Sequence, residues 1–582
     1  MAGKLGKLFE TQKSTKISID DTLPLVCTIE SGEKIQDHVD YSLRVYRGIT
    51  GDVNWMVKKR YTDFANLDSD LRIANIVLNL PPKKAFGNFN REFIAERQLA
   101  LQTYITELLQ KPILANSLPM KRFLDPDNYS FNFLEEALQH VSMVLRSEKN
   151  WEVVEPLSDI GWRIRKSYIL VKPLRDPKVR QILSWTDYGP FRYLPDKEMS
   201  ALMNVLCDIK HPNIVSPVLS TSNESGGLVI RPYGEKGTLK DIICKCKPKG
   251  NFLKKYATAP AKITRMDVPA IKQFGRQILE TLNLLHEKGL PYCHLHTGNL
   301  VVHNNRVMLL DLENWLLGLP AYHRQHVLQF KKIQTTEMVD VYSFGHVLYE
   351  LTFGMEMRTD TCNEFPPQCD AQLRSVLESI LTIEACKNGL PTVQSLLTHP
   401  FFSDVTPPPS EKPFLKIPSK LKEPLRKAKE EFEARLREEQ KVIYKKNRVS
   451  RAKEYHMSED VKKERRKTKK KPTSRALESE RAAAEASTNG TQAPSAPSSA
   501  APPAPPPPGA GAPTPPAAPP PPPPGGTAPP PPPPGPAPTQ GGAPPPPPPS
   551  SEGRGALLSS ISGFSKGGLK KAVTVDKSAP KL

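Results

Sequence analysis

Apolar and polar residues alternate through Val39, Tyr41, Leu43 and Val45, the two-residue period of a strand with one buried face. A second strand is predicted over Asp52 to Lys59, after the Gly48–Gly51 turn. From Arg91 the period lengthens. Phe93, Ile94, Tyr104, Ile105, Leu108 and Leu109 suit an amphipathic helix, and Pro112 and Pro119 break the pattern. Residues 15–126 therefore read as a small sheet followed by helices. Mixed strand and helix patterning resumes over 150–403, with enough apolar content for a large core, and Pro407-Pro408-Pro409 marks its exit. Residues 411–486 are densely charged and rich in helix formers. Leu425, Phe432, Leu436 and Val442 give them a narrow apolar seam, which fits either one long helix or a partly disordered arm. Residues 487–550 are Pro, Ala and Gly in blocks such as Pro519–Pro524, which cannot bury a core and favour polyproline II. A short patterned segment, 553–575, follows. The fold class predicted is α+β and multidomain, with a disordered tail.

Composition sharpens this picture in two places. The 582 residues carry 62 prolines, most in the one block, and a net charge of +20. That basic excess favours anionic partners: phosphoinositide membranes, nucleic acid or acidic proteins. No apolar run is long enough to span a bilayer. The N-terminal MAGKLGKLFE lacks the apolar core of a signal peptide, and Ala2 stands where myristoylation requires glycine, so neither is expected. Eight cysteines are scattered without metal-ligand spacing and read as free cytosolic thiols.

A first chemical constellation lies in 15–126. Lys58-Lys59-Arg60-Tyr61-Thr62-Asp63-Phe64 ends a strand, Leu80-Pro81-Pro82-Lys83-Lys84 forms a loop, and Arg97 lies on the next helix. An inositol headgroup needs cations converging from several directions and a flat surface for its ring; Arg supplies a bidentate fork and Tyr a face. The segment resembles a PX domain over essentially its whole length. The resemblance implies that Arg60 contacts the 3-phosphate and Tyr61 packs under the ring. Lys83 or Lys84 would meet the 1-phosphate, and Arg97 would bond the ring hydroxyls.

The region 150–403 carries the landmarks His211-Pro212-Asn213, Tyr233-Gly234-Glu235, Tyr292-Cys293-His294-Leu295-His296-Thr297-Gly298-Asn299, Leu310-Asp311-Leu312-Glu313 and Asp340-Val341-Tyr342-Ser343-Phe344-Gly345. In this order they resemble a two-lobed protein-kinase fold. The chemistry departs from the family. His294 replaces the loop Asp that takes the substrate's proton, and His296 replaces the loop Lys. Asn299 and Asp311 keep the metal-ligand positions; binding Mg–ATP weakly and merely stabilising the loop are equal alternatives for them, and no other cofactor is expected. Leu202 falls at the helix-αC Glu position. The β3 Lys is ambiguous between the place held by Trp185 and Lys172 upstream. Gly161 stands nearly alone where a Gly-rich loop belongs, and Leu390 replaces the Arg that would pair with a missing Ala-Pro-Glu. The resemblance implies a pseudokinase scaffold; the competing reading is a weakly active Ser/Thr kinase with His294 as base.

Basic residues cluster again over Lys462 to Lys471, without the interleaved aromatics that nucleic-acid binding would favour. The proline blocks suit SH3, WW, EVH1 or profilin-type grooves, or a plain spacer. Leu557, Leu558 and Ile561 seed a short helix ahead of Leu569-Lys570-Lys571, which resembles a WH2 actin-binding motif. The combined expectation is a cytosolic adaptor, peripheral on endosomal or plasma membrane, that binds 3-phosphorylated phosphoinositide and actin. Its role would be in membrane-protein trafficking or activity, with no nucleic-acid partner.

Overall fold

Three antiparallel strands, β1 (Leu25–Ile35), β2 (His38–Arg47) and β3 (Val53–Arg60), form a sheet in chain order. The computed structural model describes residues 19–48, 51–83, 90–258, 264–405 and 413–469. Register places Leu43 opposite both Ile29 and Val57, so the alternating residues Tyr41, Leu43 and Val45 share one buried face. Helices α1 (Tyr61–Leu71) and α2 (Arg91–Leu109) supply Phe64, Leu67, Leu71, Leu101, Tyr104, Ile105 and Leu108 to the same core. Asn90 caps α2 by accepting the Glu92 amide. Pro112 and Pro119 do end the helical pattern, and each then sits in the first turn of a short new helix, where its missing N–H is harmless.

Helix α3 (Phe133–Ser147) leads into a five-stranded antiparallel sheet: β4 (Trp151–Pro156), β5 (Lys166–Pro173), β6 (Gln181–Asp187), β7 (Leu219–Ser222) and β8 (Gly226–Pro232), in the order β4-β5-β6-β8-β7. Lys166 pairs with Thr186 and Ile182 with Arg231, so Lys166, Thr186, Ile182 and Arg231 share one face. Trp185 and Leu183 belong to the other. The α3 helix covers that other face, where the His140 ring stacks on the Trp185 indole at 4.3 Å. Helix α4 (Asp196–Cys207) packs against the first face, where a Cβ on Gly227 would meet Met203 at 3.1 Å.

Below the sheet lies a helical lobe with α5 (Leu239–Cys244), α6 (Val268–Glu287), the β9 (Leu300–His303)–β10 (Arg306–Leu309) hairpin, α7 (Thr336–Phe353) and α8 (Ala371–Leu381). Buried residues run round almost the whole of α7, as befits a helix at the centre of a lobe. Gly345 lets α8 approach; a Cβ there would come within 2.6 Å of Ile380.

The charged segment after 411 forms one helix, α9 (Ser419–Lys469). Leu421, Leu425, Ala428, Phe432, Leu436 and Ile443 are buried along it. The expected seam therefore holds at Leu425, Phe432 and Leu436 but not at Val442, which is 48% exposed. The reason is helical phase: Ile443 lies seven residues after Leu436, almost two full turns, whereas Val442 is rotated away from that line.

Candidate functional sites: a headgroup pocket and a degenerate phosphotransfer cleft

Arg60 closes β3 opposite Asp40 and N-caps α1. Its Nε lies 3.5 Å from Asp40 Oδ1, and its side chain is 55% exposed, available to a ligand. Tyr61 donates its hydroxyl to the Pro81 carbonyl at 2.6 Å. The Arg97 guanidinium stacks 4.6 Å from the Tyr61 ring and 4.2 Å from that of Phe93, and donates to the Pro82 carbonyl at 3.3 Å. Thus α2 and the 81–83 loop are tied to the end of β3 through one aromatic ring, and Lys83 is exposed beside that tie. Arg60, Tyr61, Lys83 and Arg97 gather at one corner. Lys84 lies outside the described residues, as do Leu557, Leu558, Ile561, Leu569, Lys570 and Lys571.

The cleft between the lobes is arranged by charge. Asp311 has a left-handed backbone, φ 61°, and is 5% exposed. Lys166 Nζ donates to its Oδ2 at 2.8 Å, and Arg231 Nη1 bonds its Oδ1. Arg231 Nη2 also holds both oxygens of Glu313, at 2.8 and 2.9 Å. Lys166 completes the cluster with Glu313 at 3.1 Å and Asn314 Oδ1 at 2.9 Å. Burial by itself would raise the Asp311 carboxyl, but the two cations overcome it and hold the group well below the usual carboxylate range. Burial likewise pulls on Lys166, and the two carboxylates reverse that effect. Each Asp311 oxygen already holds a cation, and Asn299 donates its amide N–H to the His294 carbonyl at 3.0 Å. A metal ion there would have to compete with Lys166 and Arg231 for the carboxylate, so the residues present fit a metal–nucleotide poorly.

These contacts correct the lysine assignment. Trp185 faces away from the cleft, toward α3, and Lys172 pairs with Glu152 at 3.2 Å toward the far end of β5. The ammonium in the cleft is Lys166, at the first position of β5. Leu202 is buried in the core at the position expected for the αC carboxylate. Glu313, which replaces a glycine of the kinase pattern, faces Lys166 instead. Lys166 and Arg231 were missed in the sequence because each charge sits at the end of an apolar strand run. The signal was there: Leu228-Val229-Ile230 is too apolar for its neighbour Arg231 to be a surface residue.

His294 is 1% exposed. Arg163 Nη2 lies 3.1 Å from its Nδ1 and donates from Nη1 to the Pro320 carbonyl at 2.9 Å. Arginine only donates, so Nδ1 accepts and the ring proton rests on Nε2. Burial, then Arg163, pushes the His294 imidazole well below its ordinary value. His296 accepts from the Gly298 amide at 3.1 Å and is pushed down to about 3 by burial, then by Lys240. It stacks 4.7 Å from Tyr322, whose ring meets Trp162 at 5.2 Å. Trp162 and Arg163 belong to the β4–β5 loop, the segment that arches over phosphates in ATP-using kinases. Here that loop is folded onto the catalytic loop. The scaffold of that loop is otherwise intact: Asp340 Oδ1 accepts the Cys293 amide at 2.7 Å, and its Oδ2 meets His286 at 2.9 Å.

Helix α9 crosses the segment that follows Asp311. Gln440 Nε2 donates to the carbonyls of Val327, Phe330 and Ile333 at 3.2, 2.9 and 2.8 Å. Glu433 accepts from the Thr336 amide at 3.0 Å, and Arg435 donates to Pro190 O, next to α4, at 2.6 Å. Arg324 bonds both Glu439 of α9 and, at 2.9 Å, Asp20 ahead of β1. One guanidinium thus joins three parts of the chain.

A headgroup-type module followed by a kinase-like fold whose cleft is closed by its own charges defines a class: lipid-binding proteins with a degenerate kinase region. The PX domain model matches residues 48–127 and the WH2 motif model matches 550–579. The PX domain-containing protein kinase-like protein of Mus musculus is 51% identical over 443 residues, covering 76% of each chain. The Slowpoke-binding protein of Drosophila melanogaster is 31% identical, covering 44% of this chain and 52% of its own. The "Probable inactive serine/threonine-protein kinase slob1" of Dictyostelium discoideum is 28% identical, covering 45% and 49%. The chain belongs to the family of PX domain-containing protein kinase-like proteins. Among the described residues no helix is long and apolar enough to cross a membrane.

Proposed function

We propose that this protein is a phosphoinositide-binding adaptor, recruited to endosomal or plasma membrane through residues 15–126, whose kinase-like region serves as a protein-binding scaffold. The observation that carries the reading is the saturation of Asp311 by Lys166 and Arg231: the group that would hold metal is spent on holding the fold. The depressed basicity of His294 weighs against its use as a base. Arg60 is assigned to the 3-phosphate, Tyr61 to the underside of the ring, Lys83 or Lys84 to the 1-phosphate and Arg97 to the ring hydroxyls. The WH2 segment, through Leu557, Leu558, Ile561, Leu569, Lys570 and Lys571, recruits monomeric actin, and the proline blocks engage SH3, WW, EVH1 or profilin-type grooves. The relative that binds Slowpoke supports a membrane-protein client, and hence a role in trafficking or activity of such a client.

Vesicle pelleting of the full-length protein against a panel of phosphoinositides tests the membrane part. Wild type is expected to prefer 3-phosphorylated lipid. Arg60→Ala removes a charge-assisted bidentate bond worth roughly 1.5–3 kcal/mol, a ten- to hundredfold loss. Unchanged headgroup selectivity in the variant would overturn the assignment.

A further inference from the structure

Charge is distributed unevenly along α9. From 419 to 440 acids and bases are interspersed and paired, as in Arg426 with Glu423 and Arg435 with Glu439. From 441 to 453 there are six Lys and Arg and no carboxylate. The apolar seam anchors this stretch at Ile443, and Asn447 donates to Gln329 at 3.4 Å. The orientation of the basic stretch is therefore fixed. Lys441, Lys445 and Arg448 are spaced i, i+4, i+7 and form one exposed stripe on the side opposite Ile443. Lys441 reaches Glu438, but both side chains are about two-thirds exposed, so that pair holds its charge only loosely. The stripe is flanked by side chains that a free polar helix has no reason to display: Val442 is 48% exposed, Tyr444 51% and Val449 47%. The exposed Lys331 reaches in from the segment before α7, with its ammonium 3.3 Å from the centre of the Tyr444 ring, and Lys332 follows it. Cations with half-buried apolar side chains between them match a surface that is anionic outside and apolar just beneath.

We propose that the 441–453 face of α9, with Lys331 and Lys332, is a second membrane-docking surface that recognises anionic phospholipid by charge rather than by headgroup. Interleaved valines favour a bilayer over nucleic acid, whose phosphates need the cations but offer nothing to Val442 and Val449. The inference extends the membrane reading above, and phosphoinositide-free vesicles keep the two separable. A single electrostatic contact holds a protein on a bilayer only briefly, whereas a second one on the same chain raises avidity without new specificity.

The test is pelleting of full-length protein with phosphatidylserine–phosphatidylcholine vesicles lacking phosphoinositide. The triple variant Lys441→Glu, Lys445→Glu, Arg448→Glu is expected to lose at least about tenfold in apparent affinity, since each basic side chain near an anionic bilayer adds to its attraction. The control Lys420→Glu, Lys422→Glu, Lys427→Glu, which makes the same change of charge on the docked half of α9, should leave this binding within about twofold of wild type. The milder pair Lys445→Gln, Arg448→Gln should fall between wild type and the triple, with an unchanged melting temperature. Equal losses in the stripe triple and the control would reduce the effect to net charge and overturn the proposal. So would full vesicle binding by the triple, whether or not it had lost affinity for a single-stranded RNA probe; loss of the RNA alone would assign the face to nucleic acid.

Discussion

At the residue scale, Lys166 and Arg231 explain how a kinase-like cleft survives without its chemistry. Two buried carboxylates in the sheet–helix junction need two cations, and the chain provides them from two separate strands, β5 and β8, on one face of the sheet. Removing one partner strands the others. Lys166→Met is expected to destabilise the fold by roughly 3–5 kcal/mol, read as a lowered denaturation midpoint, because Asp311 and Glu313 would then share a single guanidinium. In an enzyme the corresponding change would chiefly remove turnover; here stability should carry the loss, and an unchanged midpoint would contradict the structural role. His294, Asn299 and Asp311 were legible in the sequence because motif spacing fixes their places. Lys166 was not, because its role depends on register. Only the pairing of Lys166 with Thr186 shows that the cleft face of β6 excludes Trp185.

At the scale of elements, α9 is part of the kinase-like body through Ile443 and not an appendage to it. Phe432 packs edge-on against both Phe191, before α4, and Trp315, after Asp311, so one side chain ties the sheet lobe to the helical lobe. Phe432→Ala should cost roughly 3–5 kcal/mol. Gln440→Leu would leave three carbonyls without their shared donor and should loosen the segment from Val327 to Ile333, seen as faster amide hydrogen exchange there with little change elsewhere. If both variants melt and exchange like wild type, α9 is not a strap. The seam itself was readable from spacing at Leu425, Phe432 and Leu436. The long-range partners were not, since nothing local tells that Gln440 meets backbone more than a hundred positions earlier.

At the scale of the whole molecule, the buried histidines predict acid sensitivity. His294, His296, His323 and His346 are all pushed below their ordinary value by burial, His296 and His346 to about 3. The unfolded chain therefore binds more protons than the folded one below about pH 6.5, and stability falls as pH drops through that point. Each fully neutral histidine contributes a loss of roughly 1 kcal/mol by pH 5.5. Glu350 acts the other way: burial raises it to about 7, against the pull of Lys240, so its protonation on acidification favours the fold. His211, lowered to about 4 by burial, adds to the four, while burial also raises Asp21, Asp340 and Glu433; the histidines carry the larger share, and thermal melts at pH 7.5 and 5.5 should show a net drop, shallower in His346→Gln.

The account turns on the cleft, and the most direct measurement is nucleotide binding and phosphotransfer by the full-length protein with Mg–ATP. Calorimetry should show no saturable binding, and phosphate transfer to a generic acceptor or to the chain itself should stay at the level of an Asp311→Ala control. A robust transfer rate that disappears in Asp311→Ala would show that Lys166 and Arg231 yield the carboxylate to metal, and would make this protein an enzyme.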